Sequence, residues 1–462
     1  MNEHIHEALN EISEAHITEA AKKKKRKGAI FLRIVAAAAM LAIVIGIFRL
    51  PKPVMAQAVS LAGDCRIPEC PDRDDYSDMD EWRADLNAWQ AENSARSDSK
   101  RAALSGLQGF FTDANSHFLS GDGNSVWSPV NAYIGLAMVA ELTEGSSRQQ
   151  ILDLLGSKNT DTLRSQVSAV WESAYKDGNE ACQLANSLWL QKGLDYRQET
   201  MDTLSYHYYA DVYQTNLKNA GGAIGAWLNN NTGGFLRDAK ATVPEDAVLA
   251  LYSTLYFQSK WSSQFNASNN TKDVFHAPSG DTTVTYMNKK LAMMDYYYGD
   301  CFSAVRMGLK NGSSMWFILP DEGYTPADVL EDGQYMDMLL GNDWENVKYM
   351  KVNLSVPKFD VSGQQDLAKG LKKMGVTDVF DLSASNFSAI TSDTPIYLTA
   401  ANQAVRVQID EEGVKAAAYI EFPGAGSPMP PEEIIDFILD RPFLFVISNG
   451  SVPLFAGVVN EP

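Results

Sequence analysis

The chain has 462 residues, 45% of them hydrophobic and 10% aromatic, which excludes a mostly disordered protein. Its 58 acidic side chains outnumber 39 basic ones, and the net charge of −19 excludes nucleic acid as the main partner, since phosphate binding needs a basic face. Length alone suggests about three domains, a soft bound that the distribution of residues lowers.

Residues 1–27 carry five acidic groups and six basic ones, the latter all within Lys22–Lys27, for a sum of +1. With Arg33 added, the chain beyond residue 48 carries −19 − 2 = −21. Residues 28–48 are apolar apart from Arg33 and reach the roughly 20 residues that cross a bilayer. Because positive residues stay inside, this predicts a cytoplasmic tail (1–27), a membrane helix (28–49) and an extracellular remainder. A cleaved signal peptide is the alternative, since Ala56-Gln57-Ala58 has the small-x-small form of a cleavage site; the 27-residue leader favours an uncleaved anchor. The style of the leader suggests a bacterial surface protein.

Residues 50–100 read as a polar stalk, in which Trp82 and Trp89 would form one helical stripe against the main body. Cys65 and Cys70 are close enough to close a small loop in an oxidising space, whereas Cys182 and Cys301 sit in apolar surroundings and read as buried thiols.

From residue 101 to residue 462 neither a linker nor a repeat interrupts the pattern, so one large domain replaces the three. Helical patterns come first, at Ala102–Phe118, Val130–Leu142, Gln149–Leu155 and Thr162–Tyr175. Strand patterns follow at Ser187–Gln191, Val248–Tyr256, Met315–Leu319, Asn353–Phe359, Ile396–Ala400, Val405–Asp410, Phe443–Ser448 and Leu454–Val459. This order predicts an α+β fold, and Asn449-Gly450 predicts a type I′ hairpin. There is no GxSxG elbow, P-loop, HExxH or GxGxxG in a strand-to-helix context, and His117, His207 and His276 are isolated. Catalysis, a metal site and a cofactor have no support in these motifs.

The unusual stretch begins at Asp410. It leaves one strand and reaches the next about 30 residues later, at Arg441, which in a compact domain marks a functional loop. Counting in twos, Val414, Ala416, Ala418, Ile420 and Phe422 are apolar, while Lys415, Ala417, Tyr419, Glu421 and Pro423 alternate with them. That is the period of a half-buried strand. A strand pattern in a long connection has a second place to go.

Glu411-Glu412-Gly413-Val414-Lys415-Ala416-Ala417-Ala418 resembles the reactive-loop hinge of the serpins, the serine-protease-inhibitor family. Five further segments are similar to serpin segments in the same order: Ser125–Val130, Thr254–Trp261, Val356–Phe359 with Leu371–Phe380 and Asn386–Ser388, Arg441–Phe445, and Pro453–Val458. The resemblance covers about residues 101–462. It implies a fold of helices and three β-sheets, a monomer that is not an enzyme, and a loop offered as bait. A target serine protease cleaves the loop, is held as a covalent acyl-enzyme, and is dragged across as the loop inserts into a central sheet.

The family's asparagine, serine and histidine beneath that sheet correspond to Ser253, Asn131 and Gln403, expected to pair with one another without an imidazole. Family spacing places the scissile bond within Gly426, Ser427, Pro428 and Met429. Pro428 argues for Gly426–Ser427 or Pro428–Met429, and the absence of Lys and Arg from Gly424 to Pro431 points to an elastase-like or subtilisin-like target. A non-inhibitory serpin acting as a surface binding module is the alternative.

Overall fold

A computed structural model describes residues 71, 73, 76, 78–105, 107–119, 123–176, 180–232, 243–245, 247–340, 344–399, 401–414 and 433–462. The tail, the 28–49 stretch, Cys65, Cys70 and loop residues Lys415, Ala416, Ala417, Ala418, Gly426, Ser427, Pro428 and Met429 lie outside them. Among the described residues, no helix is long and apolar enough to cross a membrane.

The stalk expected up to residue 100 ends in a 27-residue helix, α1 (Met79–Ser105), which runs through the boundary set at residue 101. Trp82, Leu86 and Trp89 are half-buried at helical spacing, and Trp82 Nε1 donates to the Pro71 carbonyl at 3.1 Å. A helical layer follows: α2 (Gln108–Phe118), then strand β1 (Ser125–Trp127), α3 (Pro129–Leu142), α4 (Gly145–Leu154) and α5 (Thr160–Ala174). Helix α3 is apolar on all sides and buries every residue except Gly135, as a helix inside a core must. Ser128 caps it and Pro129 opens it, where the missing N–H is not needed.

Glu141 near the end of α3 is 5% exposed and fully partnered. Arg164 of α5 holds it with two bonds of 2.7 and 2.9 Å, and the Tyr208 hydroxyl at the end of α6 (Gln198–Tyr208) donates to it at 2.9 Å.

Strand β2 (Cys182–Gln191) lies between β3 (Ala210–Thr215), parallel to it, and β4 (Leu249–Phe257), antiparallel. Helix α7 (Gly221–Asn230) covers the outer face, where its Ile224 and Trp227 meet Trp189. After the short β5 (Ser259–Lys260) come β6 (Thr271–Ala277), β7 (Gly280–Tyr298), β8 (Phe302–Gly308) and β9 (Ser314–Pro320). Helices α8 (Pro326–Asp332) and α9 (Gln334–Leu340) lead to β10 (Val347–Pro357), β11 (Asp360–Asp366), α10 (Leu367–Lys373) and β12 (Asn402–Gln408). The chain ends with β13 (Gly413–Val414), β14 (Ile434–Ile438), β15 (Phe443–Asn449) and β16 (Val452–Val459).

The expected helices and three β-sheets are present, and the hydrogen-bonded ladders join two of the sheets and split the other. Two of those sheets are continuous through the 19-residue β7, giving one nine-stranded sheet in the order β1-β16-β15-β9-β8-β7-β10-β14, with β6 also on β7. The third is divided into β3-β2-β4 and β11-β12. Among the described residues no ladder joins β4 to β12, and the β13–β5 pair sits at the end of both.

Two local expectations need correction. Residues 396–399 form no strand; the Leu398 N–H and the Ile396 carbonyl bond instead to Val379 and Ser385. In the last hairpin Asn449 pairs with Val452, and Gly450 is at φ +56° while Asn449 and Ser451 are not at positive φ. Gly450 therefore occupies the first central position, as in a type II′ turn, and the type I′ turn is not adopted. Cys182 and Cys301 are buried free thiols, and burial pushes Cys182 up to about 12.

Removing Arg164 leaves Glu141 desolvated and short of donors. Arg164→Met is expected to lower unfolding stability by about 3 kcal/mol in urea titrations; a loss under about 1 kcal/mol would show that the pair contributes little.

Candidate functional site: the hinge of the long loop

The hinge is built by β12 and a tight turn. Along β12, Val405 and Val407 point into the core, as does Ile409 after it, while Arg406 on the other face pairs with Asp360. At Asp410 the chain reverses. The Asp410 carboxylate accepts from the backbone N–H groups of Glu412 at 2.8 Å and Gly413 at 3.2 Å, and the Asp410 N–H donates to the Gly413 carbonyl at 3.1 Å. Val414 thus returns antiparallel to Ile409, and pairs on its other side with Ser259. Gly413 lies opposite Lys260, and a Cβ there would overlap the Ser259 carbonyl and the Lys260 Cα, so only glycine fits.

Trp261, fully buried, locks the turn from below. Its indole N–H donates to the Asp410 carbonyl at 2.8 Å and its backbone N–H to the Glu412 carbonyl at 3.0 Å; the Phe265 N–H donates to the Glu411 carbonyl at 3.1 Å. The Glu411 carboxylate accepts from Lys358 Nζ at 2.6 Å and from the Asn270 side-chain amide. Burial raises the Glu411 carboxyl, but the Lys358 and Asn270 bonds outweigh it and hold it below the usual 4.5. On the far side of β5, Glu180 accepts from Ser259 Oγ at 2.6 Å and the Lys260 N–H at 2.9 Å.

Asn131, Ser253 and Gln403 do not form the mutual cluster expected. Gln403 instead clamps Ser128, accepting from its N–H at 2.7 Å and donating to its carbonyl at 2.9 Å. Ser128 Oγ donates to the Leu454 carbonyl at 2.7 Å and accepts from the Asn131 N–H at 3.4 Å. Asn131 Oδ1 and Ser253 Oγ are buried without a hydrogen-bond partner. The Gln403 amide thus reaches the cap of α3. Ser128 was the missed member, although its Ser-Pro cap signature stood in the sequence. The bonds that Trp261, Glu180 and Lys358 make to the hinge and β5 were likewise invisible without the fold, although Trp261, Lys358 and Glu411 lie in the serpin-like segments. Among the described residues, no cluster of His, Cys, Asp and Glu could hold a metal ion.

This chain belongs to the serpin family: the family model described as serpin (serine protease inhibitor) matches residues 110–462. It is 28% identical over 351 residues to alpha-1-antitrypsin-like protein GS55-MS of Ictidomys tridecemlineatus, covering 73% of this chain and 83% of the relative. It is 27% identical over 351 residues to alpha-1-antiproteinase of Callosciurus caniceps, covering 73% and 83%. Among solved structures, the thermophilic serpin tengpin in its native state superposes at TM-score 0.69 with 22% identity, covering 77% of this chain and 93% of that one. Thyroxine-binding globulin in complex with thyroxine superposes at 0.66 with 22% identity, covering 77% and 99%.

The depressed Glu411 carboxyl contributes stability that is complete above its unfolded pKa and is lost as pH falls through the folded one, below the usual glutamate range. Lys358→Met is expected to cost about 1–3 kcal/mol at neutral pH and to flatten that acid-side loss. Parallel stability–pH curves for the variant and the parent would contradict this role.

Proposed function

We propose that this serpin inhibits serine proteases as a suicide substrate, with the loop after Val414 inserting between β4 and β12. The observation that carries the reading is the seat of β13: Gly413–Val414 is already antiparallel to β5 on one side, and Val414 to Ile409 on the other. Both flanking registers advance in steps of two. Carried forward, they set Ala416 between Phe257 and Val407, Ala418 between Leu255 and Val405, and Ile420 between Ser253 and Gln403. Every one of these rows faces the core, so the apolar set of the loop matches the face that would receive it. Small side chains at 416 and 418 let a strand enter a packed interior without displacing it.

The absence of basic residues from Gly424 to Pro431 supports an elastase-like or subtilisin-like target, cleaved at Gly426–Ser427 or Pro428–Met429. The basic run Lys22–Lys27 beside the apolar 28–49 stretch supports a single-pass anchor holding the serpin domain outside the cell. A second reading, a non-inhibitory binding module, draws on Pro423, which lacks the N–H a central strand needs. The serpin fold is also seen in thyroxine-binding globulin with thyroxine bound.

Mixing the protein with pancreatic elastase or subtilisin is expected to yield an SDS-resistant complex near the summed masses. Ala416→Glu, which would drive a charge between Phe257 and Val407, is expected to convert the inhibitor into a substrate. Complete loop cleavage with undiminished protease activity would contradict inhibition and favour the second reading.

A further inference from the structure

Twelve large hydrophobic residues are exposed among the described ones, and six of them share the outer region of one three-stranded patch: Leu291, Met293, Val347, Tyr349, Ile434 and Ile438. Scattered apolar residues need no explanation, but half of the total on one face does. The registers place them together. Lys351 of β10 pairs with Met293 of β7 and with Ile434 of β14, Tyr349 sits one row away opposite Asp295, and Ser355 pairs with Ile438. Residues 435 and 437 of β14 alternate inward, so the outward row is a face and not a fraying edge.

The ladder is irregular within this face. Between Ala292↔Val352 and Lys289↔Leu354, two residues of β7 oppose the single Asn353, which is a β-bulge. Leu291 occupies the bulge at φ +51°, a left-handed conformation that a leucine rarely adopts, and it is 52% exposed. Asn353 holds it there: its Oδ1 accepts the Leu291 N–H at 3.0 Å and its Nδ2 donates to Asp436 at 2.8 Å, tying three strands at one point. A strained leucine fixed in solvent is an outlier of the kind found where a surface binds.

We propose that this face is an accessory docking surface for the body of the protease that takes the loop, an inference resting on the inhibitory reading above. The length of chain chooses the occupant. From Ser427 to Ile434 there are seven residues, which at full extension reach about 25 Å. A protease of roughly 230 residues has a radius of gyration of about 17 Å. A protease seated on the scissile region is therefore held within reach of the sheet at Ile434, where an apolar rim beside its substrate cleft would cover Tyr349, Met293 and Leu291.

The test uses the full chain in mild detergent, with Leu291→Asn/Tyr349→Ser as the double variant. Both positions are remote in sequence from the loop, so neither alters the residues that fill the protease subsites, and asparagine tolerates the left-handed backbone. The second-order rate of loop cleavage by elastase and subtilisin is measured for parent and variant, beside a synthetic peptide of residues 409–433. The parent is expected to react faster than the peptide, and the variant at least tenfold slower than the parent with one of the two proteases, with an unchanged melting temperature. The fraction of cleavage events ending in an SDS-resistant complex is expected to stay the same. This rate difference is readable even if no covalent complex forms, so failure of inhibition and failure of docking are separate results. A loss smaller than tenfold with both proteases, or a parent no faster than the peptide, would overturn the proposal. So would a dimeric parent made monomeric by the substitutions, which would assign the face to a second copy of the chain.

Discussion

Gly413 carries no side chain, and the hinge closes because of that. The backbones of β13 and β5 approach so nearly that a methyl group would meet the Ser259 carbonyl and the Lys260 Cα. Around this contact the turn at Asp410 reverses the chain, Trp261 fixes two of its carbonyls, and Lys358 neutralises Glu411. The hinge is hydrogen-bonded on both flanks up to Val414, which fixes its register. A fixed register there matters physically, because a strand that enters a sheet must enter in one register: a slip of one residue would turn Lys415 and Glu421 toward the core in place of Ala416 and Ile420.

The interior beneath the hinge is unfinished by the same measure. No ladder joins β4 and β12 among the described residues, and Ser253 Oγ and Asn131 Oδ1 are buried without partners. Unmade hydrogen bonds of this sort cost about 1–3 kcal/mol each, and unpaired strand edges are a liability that folded proteins usually cover. A strand arriving between β4 and β12 would supply backbone groups to both edges. Among the described residues the fold thus leaves interactions unformed that an entering strand would complete. Gln403, by gripping the backbone of Ser128, ties β12 to the start of the central helix α3.

Much of this was legible in the sequence for definable reasons. The alternation from Val414 to Phe422 reads as a strand pattern because side-chain period survives without knowledge of the fold; of that stretch only Val414 lies among the described residues. The α+β order and the strongest elements, such as α3 and the last two strands, followed from patterns long enough to be unambiguous. What failed was non-local. The stretch at Ile396 looked like a strand but found no ladder, its bonds being made singly to Val379 and Ser385. The polar cluster differs from the expectation because alignment pairs positions, whereas the Gln403 amide bonds to the Ser128 backbone instead. Leu291 gave no warning at all, since a left-handed leucine is set by the strand register across from it.

The proposed completion of the sheet by the cleaved loop is tested most directly by the melting temperature of the protein before and after its loop is cut. Insertion adds ladder bonds on both flanks and buries the apolar face of the strand, so the cleaved chain is predicted to melt well above the intact one. A cleaved chain that melts at or below the temperature of the intact protein would contradict that claim.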